Sequence, residues 1–155
     1  MVANDTWLDI WNYAQQDGYS CGYVAALSVV HYYDPNVSAR EVRRVVRPNP
    51  NWGVDRHKLV KALVKLGVDA ELRTDLTIDV LREYVERGIP VIVSVWPEDW
   101  YSDHWTVVQG FRGDSVYLTN HWKLPVKYFL QEWSDMDMRG RGGSSEGIVC
   151  YPPAS

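Results

Sequence analysis

Residues 21 to 31, CGYVAALSVVH, are small and branched and carry almost no charge. Read as a helix, this stretch has no polar face to give to water, so it must be buried on nearly every side. A chain of 155 residues suits one domain and is long enough to enclose such a helix in a real core. The rest of the fold has to be built around it.

The turn before this helix gives it a chemical meaning. Cys21 stands where QQDGYS hands over to the first helical turn. A cysteine there lies beside N–H groups with no intrahelical partner and beside the positive end of the helix dipole, both of which favour thiolate over thiol. The same N–H groups can bind an oxyanion, and Gln15, six residues upstream, can add a side-chain donor. Gln16 is a second candidate amide. Gly18 permits the tight turn, and Gly22 leaves the approach to the sulfur open for substrate. Two readings of Cys21 stand at this point: a nucleophile, or a small apolar residue at the start of a core helix.

A nucleophilic thiol needs a base. His104 opens HWTVVQGF, whose alternation predicts a strand, and SVYLTN follows after Arg112, Gly113 and Asp114, which predicts a hairpin. Such a hairpin brings the start of one strand beside the end of the other, where Asn120 stands. Its side-chain oxygen can accept from a ring N–H of His104 and hold the imidazole in the tautomer and orientation of a base. His31 is about three turns along the helix from Cys21, too far to be its base, and reads as structural. His57 falls in the first turn of a later helix, and His121 faces away if Asn120 faces inward.

The order Gln15, Cys21, His104, Asn120 resembles that of the papain-like cysteine peptidases. The spacings resemble the branch typified by bacteriocin-leader (double-glycine) processing domains: Gln15 six before Cys21, Cys21-Gly22 opening a helix, HWTVV, and an acceptor sixteen residues on in LTNHW. GVDRHKLVKALVKLGVDAEL and LREYVERGIPVIVSVW resemble that branch's helix, strand, helix, strand passage, so the likeness covers about residues 10 to 150. The branch has Asp where this chain has Ser20, and Asp, often followed by Pro, where this chain has Asn120-His121. Papain-like enzymes proper use Asn in that third position. It keeps the orienting role without the negative charge, and so stabilises an imidazolium less.

The resemblance implies a small papain-like fold forming a single domain over residues 1–155. A central N-terminal helix carrying Cys21 would pack on an antiparallel sheet carrying His104 and Asn120. The order of elements, helices first and then an antiparallel sheet, independently gives α+β in two packed layers. The implied chemistry is acyl transfer without a cofactor: catalytic Cys21, His104 and Asn120, an oxyanion hole with Gln15, and hydrolysis of a peptide or amide bond through a thioester. The same site would serve a transferase if an amine or thiol replaced water, and a non-catalytic peptide-binding module would keep the groove. An isopeptidase or deamidase is a further alternative. QQDGYSCG also resembles a segment of the ubiquitin-like-protein proteases, whose histidine instead precedes the cysteine.

Along the chain, Trp7 to Tyr13 is an apolar lead-in, strand or helical turn, that positions Gln15. Ser38 with Glu41 predicts a capped helix ending before Pro48. A second helix is predicted over Asp55 to Leu66, stopped by Gly67, and a third from about Thr77 to Glu86, stopped by Gly88. Pro90 to Trp96 is a nearly continuous apolar run, expected as a strand in mid-sheet. The loop WPEDWYSDHW then crowds the base with aromatics. Trp96, Trp100 and Trp105 are expected to wall a substrate cleft, or else to form a lid over the sheet edge. Lys127 to Trp133 predicts a short helix, and Arg139 to Ser145 a mobile loop whose Gly142-Gly143 pair resembles a double-glycine cleavage signal. Gly147 to Tyr151 predicts a last strand with Cys150 buried in it.

Composition removes several function classes. A net charge of −4 argues against nucleic acid as a partner, and Arg40, Arg43, Arg44 and Arg47 read as a solvated helix face. No apolar run is long enough to span a membrane, and the N-terminus lacks the pattern of a secretory signal. Two cysteines 129 residues apart form neither a metal knuckle nor a disulfide framework, which points to the cytoplasm. Asp99, Asp103, His104 and His121 are metal-ligand types. They lack HxxxH or CxxC spacing, and a metal on His104 would take the base from Cys21, so no metal is expected. The expected partner is a peptide or protein substrate.

Overall fold

Three helices begin where a side chain can accept from a backbone N–H two or three residues on. Ser38 Oγ accepts from Glu41 at 3.1 Å, Asp55 Oδ1 from His57 at 2.8 Å, and Thr77 Oγ1 from Val80 at 3.2 Å. These caps start α2 (Ala39–Val46), α3 (Arg56–Lys65) and α4 (Ile78–Glu86). Gly67, at φ +92°, and Gly88, at φ +76°, end the last two as anticipated, because the left-handed region is open to glycine without strain.

The computed structural model describes residues 5–14, 17, 19–51, 53–96, 104–119, 123–138 and 145–153, apart from the side chains of 134–138. The uncharged stretch forms α1 (Cys21–Tyr33), which runs two residues past His31 and is buried continuously from Val24 to Val30. It packs against α2, α3 and the sheet, as a helix with no solvated face must.

The strands are β1 (Thr6–Trp7), β2 (Asp69–Arg73), β3 (Val91–Val95), β4 (His104–Arg112), β5 (Ser115–Leu118), β6 (Leu124–Pro125) and β7 (Gly147–Tyr151). They form one antiparallel sheet in the order β2-β7-β3-β4-β5-β6, with β1 paired to β4 beyond the end of β3. β3 lies in mid-sheet with all five residues buried, the environment its apolar run called for. Each such valine stabilises the fold by about 1.5–3 kcal/mol relative to exposure. β7 inserts between β2 and β3 and pairs with both. Among the described residues, five helices and an antiparallel seven-stranded sheet make the architecture α+β.

Several boundaries differ from the sequence reading. The helix expected over Lys127 to Trp133 is α5 (Val126–Met138), whose Trp133 and Phe129 are fully buried. The lead-in is a strand only at Thr6–Trp7; beyond it Leu8 and Ile10 pack in the core. β5 ends at Leu118 rather than at Asn120, since Thr119 holds β4 through its side chain as well as its backbone. The two-residue β6 had no sequence signal. Arg139 to Ser144, with the Gly142-Gly143 pair, lie outside the described residues. Among those described, no helix is long and apolar enough to cross a membrane.

Candidate active site

Cys21 is the first residue of α1 and is half-buried, and its sulfur takes part in no disulfide. Its cap residue, Ser20, is buried but gives no side-chain hydrogen bond to the helix, so that side chain does not occupy the N–H groups of the first turn. No acidic side chain stands in that turn either. The local electrostatics therefore suit an anion at the helix N-terminus.

His104 is the first residue of β4, paired with Val95 of β3, and is buried. The residues that follow Cys21 and His104 bring the two elements together. A Cβ placed on Gly22 would lie 3.3 Å from Cδ1 of Trp105 and 3.2 Å from both Cβ and Cγ2 of Val54. Trp105 is fixed in this contact by its indole N–H, which donates to the Val54 carbonyl at 2.9 Å. Gly22 is thus buried in packing contact, and its missing side chain is what lets the start of β4 approach the start of α1.

Beyond His104 the hairpin is tied three ways. Thr119 N–H donates to the Val107 carbonyl at 3.0 Å, Val107 N–H donates to Thr119 Oγ1 at 3.0 Å, and the Thr106 hydroxyl donates to the Thr119 carbonyl. The strand pair therefore returns to the His104 end of β4 one residue before Asn120. Asn120, Gln15 and Trp100 lie outside the described residues, as do Gln16, Gly18, Asp99, Asp103 and His121. Trp96 is half-buried, and its backbone N–H leaves the sheet to donate to Glu132 of α5 at 3.1 Å. No cluster of candidate metal ligands occurs among the described residues.

The other titratable groups separate cleanly by environment. His31 Nε2 lies 2.6 Å from the Val37 carbonyl, which can only accept, so the proton sits on Nε2 and Nδ1 accepts from the Tyr13 hydroxyl at 2.5 Å. That is the structural role expected of His31. It also ties the lead-in, two residues before Gln15, to α1. Gln109 does the same from β4, accepting from Asn12 Nδ2 at 3.1 Å and donating to the Ile10 carbonyl at 3.2 Å. Cys150 is fully buried in β7, and burial pushes its thiol well up, which leaves it inert.

One residue of the turn was passed over in the sequence. Asp17 Oδ1 accepts the Tyr19 N–H at 3.1 Å, and its other oxygen lies 3.9 Å from Arg43 Nη2. Burial pulls its carboxyl upward, but hydrogen bonds from the Ser20 hydroxyl and from the N–H groups of Tyr19 and Ser20, with the Arg43 charge, hold it below the ordinary range. The signal was present as Asp17-Gly18, a dipeptide that favours a turn closed by the aspartate's own side chain.

Comparison with known proteins agrees with this fold. The sequence profile of the family described as "Papain-like cysteine protease AvrRpt2" matches residues 4–134. No curated protein matches the chain. A solved structure described as a C39-like peptidase from Bacillus anthracis is similar with a TM-score of 0.76 at 20% identity, covering 99% of this chain and 100% of that one. The peptidase domain of Streptococcus ComA, a bi-functional ABC transporter involved in quorum sensing, gives 0.69 at 21% identity, covering 95% and 98%. A double glycine motif protease from an AMS/PCAT transporter, solved in complex with its leader peptide, gives 0.66 at 18% identity, covering 96% and 95%.

Proposed function

Since the chain belongs to the papain-like cysteine protease family, we propose that it hydrolyses a peptide bond in a peptide or protein substrate. Cys21 is the nucleophile, His104 the base, Asn120 the acceptor that orients the imidazole, and Gln15 the side-chain donor of the oxyanion hole. The observation that supports this reading is the contact between α1 and β4 at Gly22 and Trp105, the residues that follow Cys21 and His104.

In the proposed reaction His104 takes the thiol proton and the Cys21 sulfur attacks the carbonyl carbon. The oxyanion is held by the N–H groups at the start of α1 and by Gln15. The imidazolium then protonates the departing amine as the C–N bond breaks, leaving a thioester on Cys21. Water, deprotonated by His104, cleaves the thioester and frees the acid. Trp105, whose indole N–H donates to the Val54 carbonyl, is assigned with Trp96 and Trp100 to substrate binding. The leader-peptide complex of the similar double glycine motif protease supports a peptide as the substrate. Cysteines outside any disulfide suit a reducing compartment, and we place the protein in the cytoplasm.

The test is cleavage of a diverse peptide library, with new termini mapped by mass spectrometry. Parent and Cys150→Ala should produce the same cleavages, and Cys21→Ala none. Asn120→Ala should cut at the same sites far more slowly, with Asn120→Asp restoring the rate. Cleavage that survives Cys21→Ala would overturn the assignment.

A further inference from the structure

We propose that Asp17 is the positioning residue that sets the sulfur of Cys21, acting through the turn rather than by touching substrate. This inference rests on the peptidase reading and adds a residue to it.

The helix that carries Cys21 begins unlike its neighbours. Ser38, Asp55 and Thr77 are extended and cap their own helices, whereas Ser20 has φ −93° and ψ 12° and gives no cap bond. The N–H of Tyr19, the residue before it, donates to the Asp17 carboxylate at 3.1 Å, and the Ser20 hydroxyl and N–H help hold that carboxyl below its ordinary range. The two residues before Cys21 thus both act on one side chain. Arg43 of α2 braces that side chain from outside and also lies over the ring of Tyr23, 5.1 Å from its centroid, in the first turn of α1.

The turn borders open space on one side. A cavity of about 530 Å³ opens between it, α1 and α2, with Tyr13, Asp17, Ser20, Tyr23, Val24 and Arg43 among its walls. On that side hydrogen bonds rather than packing hold the backbone. Those of Asp17 therefore determine where the peptide unit before Cys21 sits, and with it the Cα–Cβ direction of the nucleophile. A displacement approaching 1 Å at such a group costs up to about 10²-fold in rate.

The experiment compares the second-order rate of iodoacetamide alkylation at Cys21 across pH in parent, Asp17→Ala, Asp17→Asn and Ser20→Ala, alongside thermal melts. Asp17→Ala should lower the plateau rate by at least ~10-fold at temperatures well below its melt. Asp17→Asn keeps an acceptor for the Tyr19 N–H and should recover most of that loss. Ser20→Ala removes a single donor and should fall between. A role in stability alone would lower the melting temperature and leave the plateau and its pH midpoint unchanged, which would overturn the proposal. Should Asp17→Ala fail to melt cooperatively, Ser20→Ala decides, and a parent-like profile for it would overturn the proposal. If Cys21 of the parent is itself no more reactive than Cys150, the peptidase reading falls and this inference with it. An activated parent with unchanged variants removes this inference alone.

Discussion

Gly22→Ala probes the joint between α1 and β4, the elements that carry the proposed nucleophile and base, most economically. The new methyl would stand 3.2 Å from Cβ and Cγ2 of Val54 and 3.3 Å from Cδ1 of Trp105, whereas carbon atoms pack best at about 3.5–4.0 Å. The neighbours must retreat by a few tenths of an ångström. Val54 and Trp105 are joined by a 2.9 Å hydrogen bond, so they move together. Overpacking of this kind costs about 1 kcal/mol at its mild end, against about 0.5–1 kcal/mol gained by replacing glycine with alanine in a helix. The two nearly cancel, and the melting temperature should change by no more than ~4 °C. Activity should not be spared, because Trp105 adjoins His104 and its shift separates the start of β4 from the start of α1. The Cys21 alkylation plateau should fall by about 10-fold. A melting temperature raised by the full helical gain, with an unchanged plateau, would show that the contact yields freely and would refute the argument.

Further outcomes follow from the same contacts. Tyr13→Phe deprives His31 Nδ1 of its donor and should cost about 1 kcal/mol in urea denaturation. It should also slow Cys21, since the lead-in to the catalytic turn loses its anchor on α1. Arg56→Met takes the Arg56 cation from the buried Glu146 carboxylate and should cost about 3 kcal/mol, with Glu146→Gln added in the double variant restoring part of it. The Asp17 carboxyl lies lower in the folded chain than in the unfolded one, so its stabilising contribution is present above about pH 4 and is lost as pH falls through the folded value. Asp17→Asn should therefore be less stable than the parent at pH 7, with the gap closing in acid, as urea midpoints from pH 7 to ~3 would show.

The parts of this fold that were legible in sequence are those where one local rule acts alone. An uncharged stretch could only be a central helix, VIVSV could only be a buried strand, and Ser38, Thr77, Gly67 and Gly88 punctuate helices by side-chain or backbone chemistry. Elements decided by distant partners were not legible. β6 exists because Ser115 and Val116 offer it an edge, and α5 extends beyond Trp133 into SDMDM. At the candidate site, Cys21 and His104 could be proposed from spacing and resemblance. The use of Gly22 could not, because the reason for it comes from Val54 and Trp105, 32 and 83 residues away in the chain. Asp17 was readable as a turn residue, but its grip on Ser20 and its reach to Arg43 exist only in three dimensions.

The most direct test of the central claim, that Cys21 is a nucleophile activated by His104, is the pH dependence of iodoacetamide alkylation at Cys21 in parent and His104→Ala, with buried Cys150 as internal reference. The account predicts that Cys21 of the parent reacts well below pH ~8.5, the range of an ordinary thiol, and loses that advantage in His104→Ala. A Cys21 that titrates as an ordinary thiol in both proteins, or reacts no faster than Cys150, would contradict it.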